Sequence, residues 1–160
     1  MIKWPKGKHP DKFRKKVQKM KGKLLTGRVV AIDPASGSTS MPGWALFQEG
    51  ALVAKGVVQL NPKLPVQGRL NALFFALSEG IGHPPPDVII IEEIRGRMAH
   101  VFLTWACGVI VSAFSESELL ELPIGFWKAV IPEGYEKSDE EDAMHIGLAA
   151  IELAKELQDD

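Results

Sequence analysis

The stretch Val29–Phe47, VVAIDPASGSTSMPGWALF, decides how the rest of the chain is read. Its first residues, Val29, Val30, Ala31 and Ile32, are β-branched or apolar and end in Asp33. A loop of Pro, Ser and Gly follows, and apolar character returns at Trp44, Ala45, Leu46 and Phe47. This is the pattern of a strand, a turn and a second strand. Asp33 stands at the exit of the first strand, where a rigid sheet presents an acid to a ligand. Later segments supply partners for that acid.

After Gly43–Gln48 the chain crosses Glu49-Gly50 into the run 51–60, a hairpin connection, so the opening is a three-stranded antiparallel meander. Pro62 and Pro65 end it. Val66, Leu70, Leu73, Phe74 and Leu77 recur at spacings of three and four, which predicts an amphipathic helix over 66–81. The run 87–92, DVIIIE, is uninterrupted Val and Ile closed by acids, as in a strand covered on both faces inside a parallel sheet. Residues 98–114 are helical in length and apolar nearly all round. Such a helix buries two sides, one expected on the sheet and the other on a second copy of the chain. A short strand at 119–122, a compact element at 126–131 containing Lys128, and a closing helix at 138–157 complete the order.

One domain fits 160 residues. The totals of 19 basic and 20 acidic residues hide a division. Residues 1–28 carry 11 basic side chains against Asp11 alone, and the remainder carries 8 against 19, so a +10 segment precedes a −11 body. That asymmetry points to a polyanion partner. Residues 1–27 read as a flexible basic arm, with Trp4, Phe13, Val17 and Met20 able to organise a helix on binding, and residues 28–160 as the domain. A lone Cys107 suits a reducing cytosol. The 14-residue apolar run 101–114 is too short for a bilayer, and the lysine-rich start lacks a signal-peptide core. The expected location is cytoplasmic.

The closing helix brings more acids. Ser138 and Glu141 form a capping-box pattern, and Asp139–Asp142 fill the first turn. Acids there also stabilise a helix dipole, by about 0.3–1 kcal/mol each. Asp139 and Asp142, three apart, continue into the apolar stripe of Ile146, Ala149 and Leu153, whereas Glu141 lines up with His145, Leu148 and Glu152 in a more polar row. Aspartates aimed at a core need a partner, and a divalent cation supplies one. Asp33, Glu92, Asp139 and Asp142 thus form a candidate set of hard oxygen donors for Mg²⁺ or Mn²⁺; no His or Cys cluster suggests zinc. Two ions about 3.5–4 Å apart would clamp the attacking water and the leaving oxygen of a phosphodiester. Hydrolysis of a nucleic-acid backbone is the reaction such a centre serves.

The ordered series IDPAS, GWAL, VIIIEEI and DEEDAM resembles the motifs of the RuvC Holliday-junction resolvases, within the RNase H-like nuclease superfamily, over about Val29–Leu153. The resemblance implies an α/β, RNase H-like fold: a mixed five-stranded sheet, three antiparallel strands and then parallel ones, flanked by helices on both faces. It implies a Mg²⁺-dependent homodimer acting on four-way DNA junctions, each copy nicking one strand to leave 5′-phosphate and 3′-hydroxyl ends. Asp33 would bridge two ions, Glu92 would hold one, and Asp139 and Asp142 would complete the site. In the family the acid follows directly on the apolar run, which favours Glu92; alternation sends Glu93 to the opposite side, as a supporting group. Lys128 matches a basic position acting on DNA. Arg95 and Arg97 lie where DNA would approach, and His145, one turn from Asp142, would position a water or assist proton transfer.

The chain also departs from the pattern. Only residues 132–137 separate the Lys128 element from the last helix, and a basic segment precedes the first strand. Electrostatic binding of that segment to phosphates would replace the missing contacts. The compact form resembles a phage-type member. The same acids would also serve a nuclease on RNA–DNA hybrids or other branched DNA, and in a non-catalytic nucleic-acid-binding module they would be helix caps alone.

Overall fold

The computed structural model describes residues 1–34, 41–94 and 101–158, and the central strand of its sheet is the one that ends in Asp33. Strand β1 (Arg28–Asp33) pairs antiparallel with β2 (Gly43–Gln48), which pairs antiparallel with β3 (Ala51–Val57). On its other side β1 pairs parallel with β4 (Val88–Glu92), and β4 with β5 (Glu118–Leu122). The order is β3-β2-β1-β4-β5, the mixed five-stranded sheet expected of an RNase H-like fold. The β2–β3 turn places Glu49 at φ 54° and Gly50 at φ 76°. Positive φ at both central residues matches the turn's twist to that of the strands.

Alternation along β1 divides the core. Val29 and Ala31 face one layer of helices, and Val30 and Ile32 face the other. The second layer is α2 (Val66–Phe75), continued by a π-helical turn over Ala76–Ile81, and α3 (Val101–Ala113). Helix α3 buries Ala106 and Ile110 while Val101, Trp105 and Val111 are 60%, 49% and 39% exposed. Among the described residues, then, one of its two expected apolar contacts is made and the other is not. The first turn expected for this helix, from Met98, lies outside the described residues.

The first layer is α4 (Asp139–Gln158) and α1 (Lys8–Thr26). Helix α4 lies close on the sheet because small residues allow it: a Cβ on Gly147 would come within 2.3 Å of the Phe47 ring and 3.1 Å of Ala31. Helix α1 corrects the expectation of a flexible arm over 1–27. Phe13, Val17 and Leu24 are completely or almost completely buried, Met20 packs beside them, and the lysines point outward. Trp4 stacks on Phe126 at 5.1 Å and donates its indole N–H to Glu156 at 2.7 Å. A stripe of apolar residues at helical spacing outweighs lysine repulsion, because each buried side chain contributes about 1.5–3 kcal/mol while the charges stay in water. Among the described residues, no helix is long and apolar enough to cross a membrane.

Candidate metal centre

Asp33 leaves the end of β1 on the face covered by α4, continuing the row of Val29 and Ala31. Helix α4 starts beside it. Ser138 caps that helix, its hydroxyl accepting the Glu141 N–H at 3.3 Å, and the capped turn aims Asp139 and Asp142 back toward the strand. The three aspartates present carboxylate oxygens that all lie within 4.8 Å of one another. Residues from opposite ends of the sequence thus converge as their spacing predicts.

The group is crowded and partly dry. Asp142 is 2% exposed, and one of its oxygens accepts a hydrogen bond from the Tyr135 hydroxyl. Burial, and then the Asp142 carboxylate, push the Asp139 carboxyl above its ordinary value; Lys137 and a hydrogen bond from the Met41 backbone oppose this without reversing it. Burial also pushes the Tyr135 phenol up, reinforced by its bond to Asp142, so this hydroxyl stays protonated and donates. Three carboxylates with no nitrogen or sulfur donor among them match a hard divalent cation such as Mg²⁺ or Mn²⁺, whose charge would relieve their mutual repulsion.

Glu92 is placed differently. The parallel register pairs Ile32 with Ile91, so Asp33 and Glu92 are the next residues on adjacent strands. Yet Glu92 stands outside the three-aspartate group, and its Oε2 accepts hydrogen bonds from the Gly125 N–H at 2.9 Å and the Trp127 indole at 2.6 Å. Glu93 lies past the end of β4 and lines a cleft of about 120 Å³ with His9, Lys12 and Lys16 of α1; none of the three aspartates lines it. Lys128 is exposed on the 3₁₀ turn Phe126–Val130. Arg95 and Arg97 lie outside the described residues.

His145 is 3% exposed, although Glu141, Leu148 and Glu152 on its row of α4 are only half-buried. Its Nδ1 lies 2.7 Å from the Glu141 carbonyl oxygen, and its ring meets Tyr135 edge-on at 4.7 Å and Trp127 in a stack at 6.4 Å. Burial lowers its pKa, against the pull of Asp142 and with the push of Lys55, so it is a neutral ring behind the cluster. Glu141 pairs with Lys55 of β3. The Cys107 thiol is pushed up to about 11, mainly by burial and then by Asp33 and Glu121, so it keeps its proton.

Sequence reading missed Tyr135, Trp127 and Lys55. A tyrosine three residues before a capping serine is a usable signal for a donor to the helix's first-turn acids, whereas the Trp127–Glu92 contact spans 35 residues and leaves no local trace.

No family model matches the chain, and no curated protein matches it in sequence. Among solved structures it is similar to Thermus thermophilus RuvC, at 19% identity and a TM-score of 0.59 over 76% of this chain and 92% of that one. It is similar to T. thermophilus RuvC in complex with a Holliday junction substrate at 18% identity and a TM-score of 0.59, covering 76% and 90%. The yeast mitochondrial Holliday junction resolvase matches at 15% identity and a TM-score of 0.53, covering 96% of this chain and 89% of that one. At such identities the likeness is one of architecture, and on that basis this chain has the RNase H-like fold shared by the RuvC-type Holliday-junction resolvases.

Proposed function

We propose that the chain is a metal-dependent endonuclease that resolves four-way DNA junctions, two copies acting together to make paired nicks with 5′-phosphate and 3′-hydroxyl ends. The observation that carries this reading is the convergence of Asp33, Asp139 and Asp142 to within 4.8 Å at the end of the central strand. The fold shared with two resolvases supports the choice of substrate.

In this reading the three aspartates hold Mg²⁺ or Mn²⁺, with Glu92 on the adjacent strand as the fourth ligand. When bound, the ions activate water and offset the charge that develops on the phosphodiester. The protein's own groups prepare the site. Tyr135 fixes one Asp142 oxygen, the Met41 backbone binds the Asp139 carboxylate, and His145 and Trp127 exclude water from behind them. Trp127 and Gly125 restrain Glu92 at the strand's end. Lys128, Arg95 and Arg97 would contact phosphates. The second copy is assigned to the exposed apolar face of α3, which carries Val101, Trp105 and Val111.

The test is cleavage of an immobile four-way junction, a plain duplex and an RNA–DNA hybrid of matched sequence, in Mg²⁺ or Mn²⁺ and in EDTA. Symmetric, metal-dependent nicks in the junction, lost in Asp142→Asn, support the proposal. Preferential cutting of the hybrid supports a ribonuclease H, and binding without cleavage under either metal supports a non-catalytic module.

A further inference from the structure

Helix α1 places Lys8, Lys12, Lys15, Lys16, Lys19 and Lys23 at spacings that fall within about 100° of one another around the helix, one flank of a rod roughly 22 Å long. Lys23 pairs with Glu118 of β5. Among the described residues, the other five make no ion pair, and all five are exposed. The flank is not an unstructured tail, because Phe13, Val17 and Leu24 fix its back to α4.

Its direction matters as much as its charge. The C-terminal end of α1 runs through Gly27 into the start of β1, so the helix returns alongside the sheet and its first turns come to the end where Asp33 and Glu92 emerge. Phe13 packs edge-on against Phe126 at 4.9 Å, next to the Gly125 and Trp127 groups that bind Glu92. Lys12 and Lys16 share a cleft with Glu93, the residue after Glu92. The row of lysines therefore begins beside the carboxylates and leads away from them.

We propose that this flank of α1 is a nucleic-acid rail that holds the sugar-phosphate backbone of a duplex arm entering the acidic centre. The inference rests on the nuclease reading and adds the surface that binds the substrate. Without α1 a body of 8 basic and 19 acidic residues would repel DNA, and α1 supplies the compensating charge where the strand has to approach. About 22 Å spans roughly six base-pair steps at 3.4 Å each, enough for a lysine to reach a phosphate at nearly every step. An anionic bilayer fits less well. A membrane-surface helix needs apolar side chains bordering its charges, and those of α1 are committed to α4.

The experiment compares the full chain with a Lys12→Gln, Lys15→Gln, Lys16→Gln, Lys19→Gln variant and with an opposite-flank control, Arg14→Gln, Lys21→Gln. Each is confirmed folded by circular dichroism. Binding to a four-way junction and to a plain duplex is measured in Ca²⁺ from 50 to 250 mM salt. The rail predicts that the quadruple variant flattens the slope of log K against log salt by about three to four units, roughly 0.9 per lost contact, while the control shifts it by less than about two. An unchanged slope in the folded quadruple variant overturns the proposal, as does an equal loss in the control. Binding of phosphatidylserine vesicles that depends on these lysines, with DNA affinity unaffected, would also overturn it. Cleavage by the parent protein is scored separately at low salt. A slope change without cleavage sinks the nuclease reading and spares the rail; cleavage without a slope change does the reverse.

Discussion

Gly43 and Asp139 meet backbone to backbone: a Cβ on residue 43 would lie 2.0 Å from the Asp139 carbonyl oxygen. The same glycine stands opposite Asp33 in the β1–β2 register. The missing side chain is therefore what lets the head of α4 settle against the strand and bring Asp139 to Asp33. Gly43→Ala should push the helix away at a cost of about 1–3 kcal/mol and reduce cleavage more than tenfold. Thermal unfolding and junction cleavage measured together check this; a variant with normal stability and full activity would show that the contact is not needed.

Glu92 serves as a hydrogen-bond acceptor in the structure, and only the functional reading gives it a metal. Glu92→Gln separates the roles, because an amide oxygen still accepts from Gly125 and Trp127 but carries no charge. The midpoint of unfolding should move by less than about 2 °C, while cleavage falls by about tenfold or more. Retained cleavage would leave Glu92 with its structural role alone.

Helix α1 is part of the core, so its removal is a stability experiment before it is a DNA-binding one. Phe13→Ala should cost about 3–5 kcal/mol, a large share of the roughly 5–15 kcal/mol that holds a domain together. Urea unfolding followed by tryptophan fluorescence measures it. A flexible arm would leave the midpoint where it was.

The raised pKa of Asp139 fixes the sign of a pH effect. Folding holds this proton more tightly than the unfolded chain does, so its contribution to stability is fully present below the ordinary value of 3.8 and is lost as pH rises through the folded value. At neutral pH the ionised group opposes folding of the metal-free protein. Asp139→Asn should therefore raise the unfolding midpoint in EDTA at pH 7 by about 2 °C, have little effect near pH 3, and abolish cleavage. Calorimetry at the two pH values decides it, and a lower midpoint at pH 7 would contradict the assignment.

The sheet was legible wherever one physical signal dominated. The uninterrupted VIIIE run pointed to a doubly covered strand, and Glu49-Gly50 to a tight turn, and both formed. The aspartates were legible because a strand exit and a helix stripe each fix a direction. Helix α1 was not, because its eight basic side chains mask the helical spacing of Phe13, Val17 and Leu24, which marks a buried face. Burial of His145 was hidden for a related reason: Glu141 and Glu152 on its row suggested water, whereas the rings of Trp127 and Tyr135 cover it from distant segments. Long-range aromatic contacts of this kind have no period, so a sequence pattern cannot carry them.

The claim on which the rest depends is that Asp33, Asp139 and Asp142 form a cation site. Titration of Mn²⁺ into the metal-free protein, followed by calorimetry without any DNA, addresses it directly. The account predicts saturable binding that weakens about tenfold or more in Asp142→Asn and is unaffected in Glu152→Gln, further along the same helix. Equal Mn²⁺ affinity in the parent protein and in Asp142→Asn would contradict it.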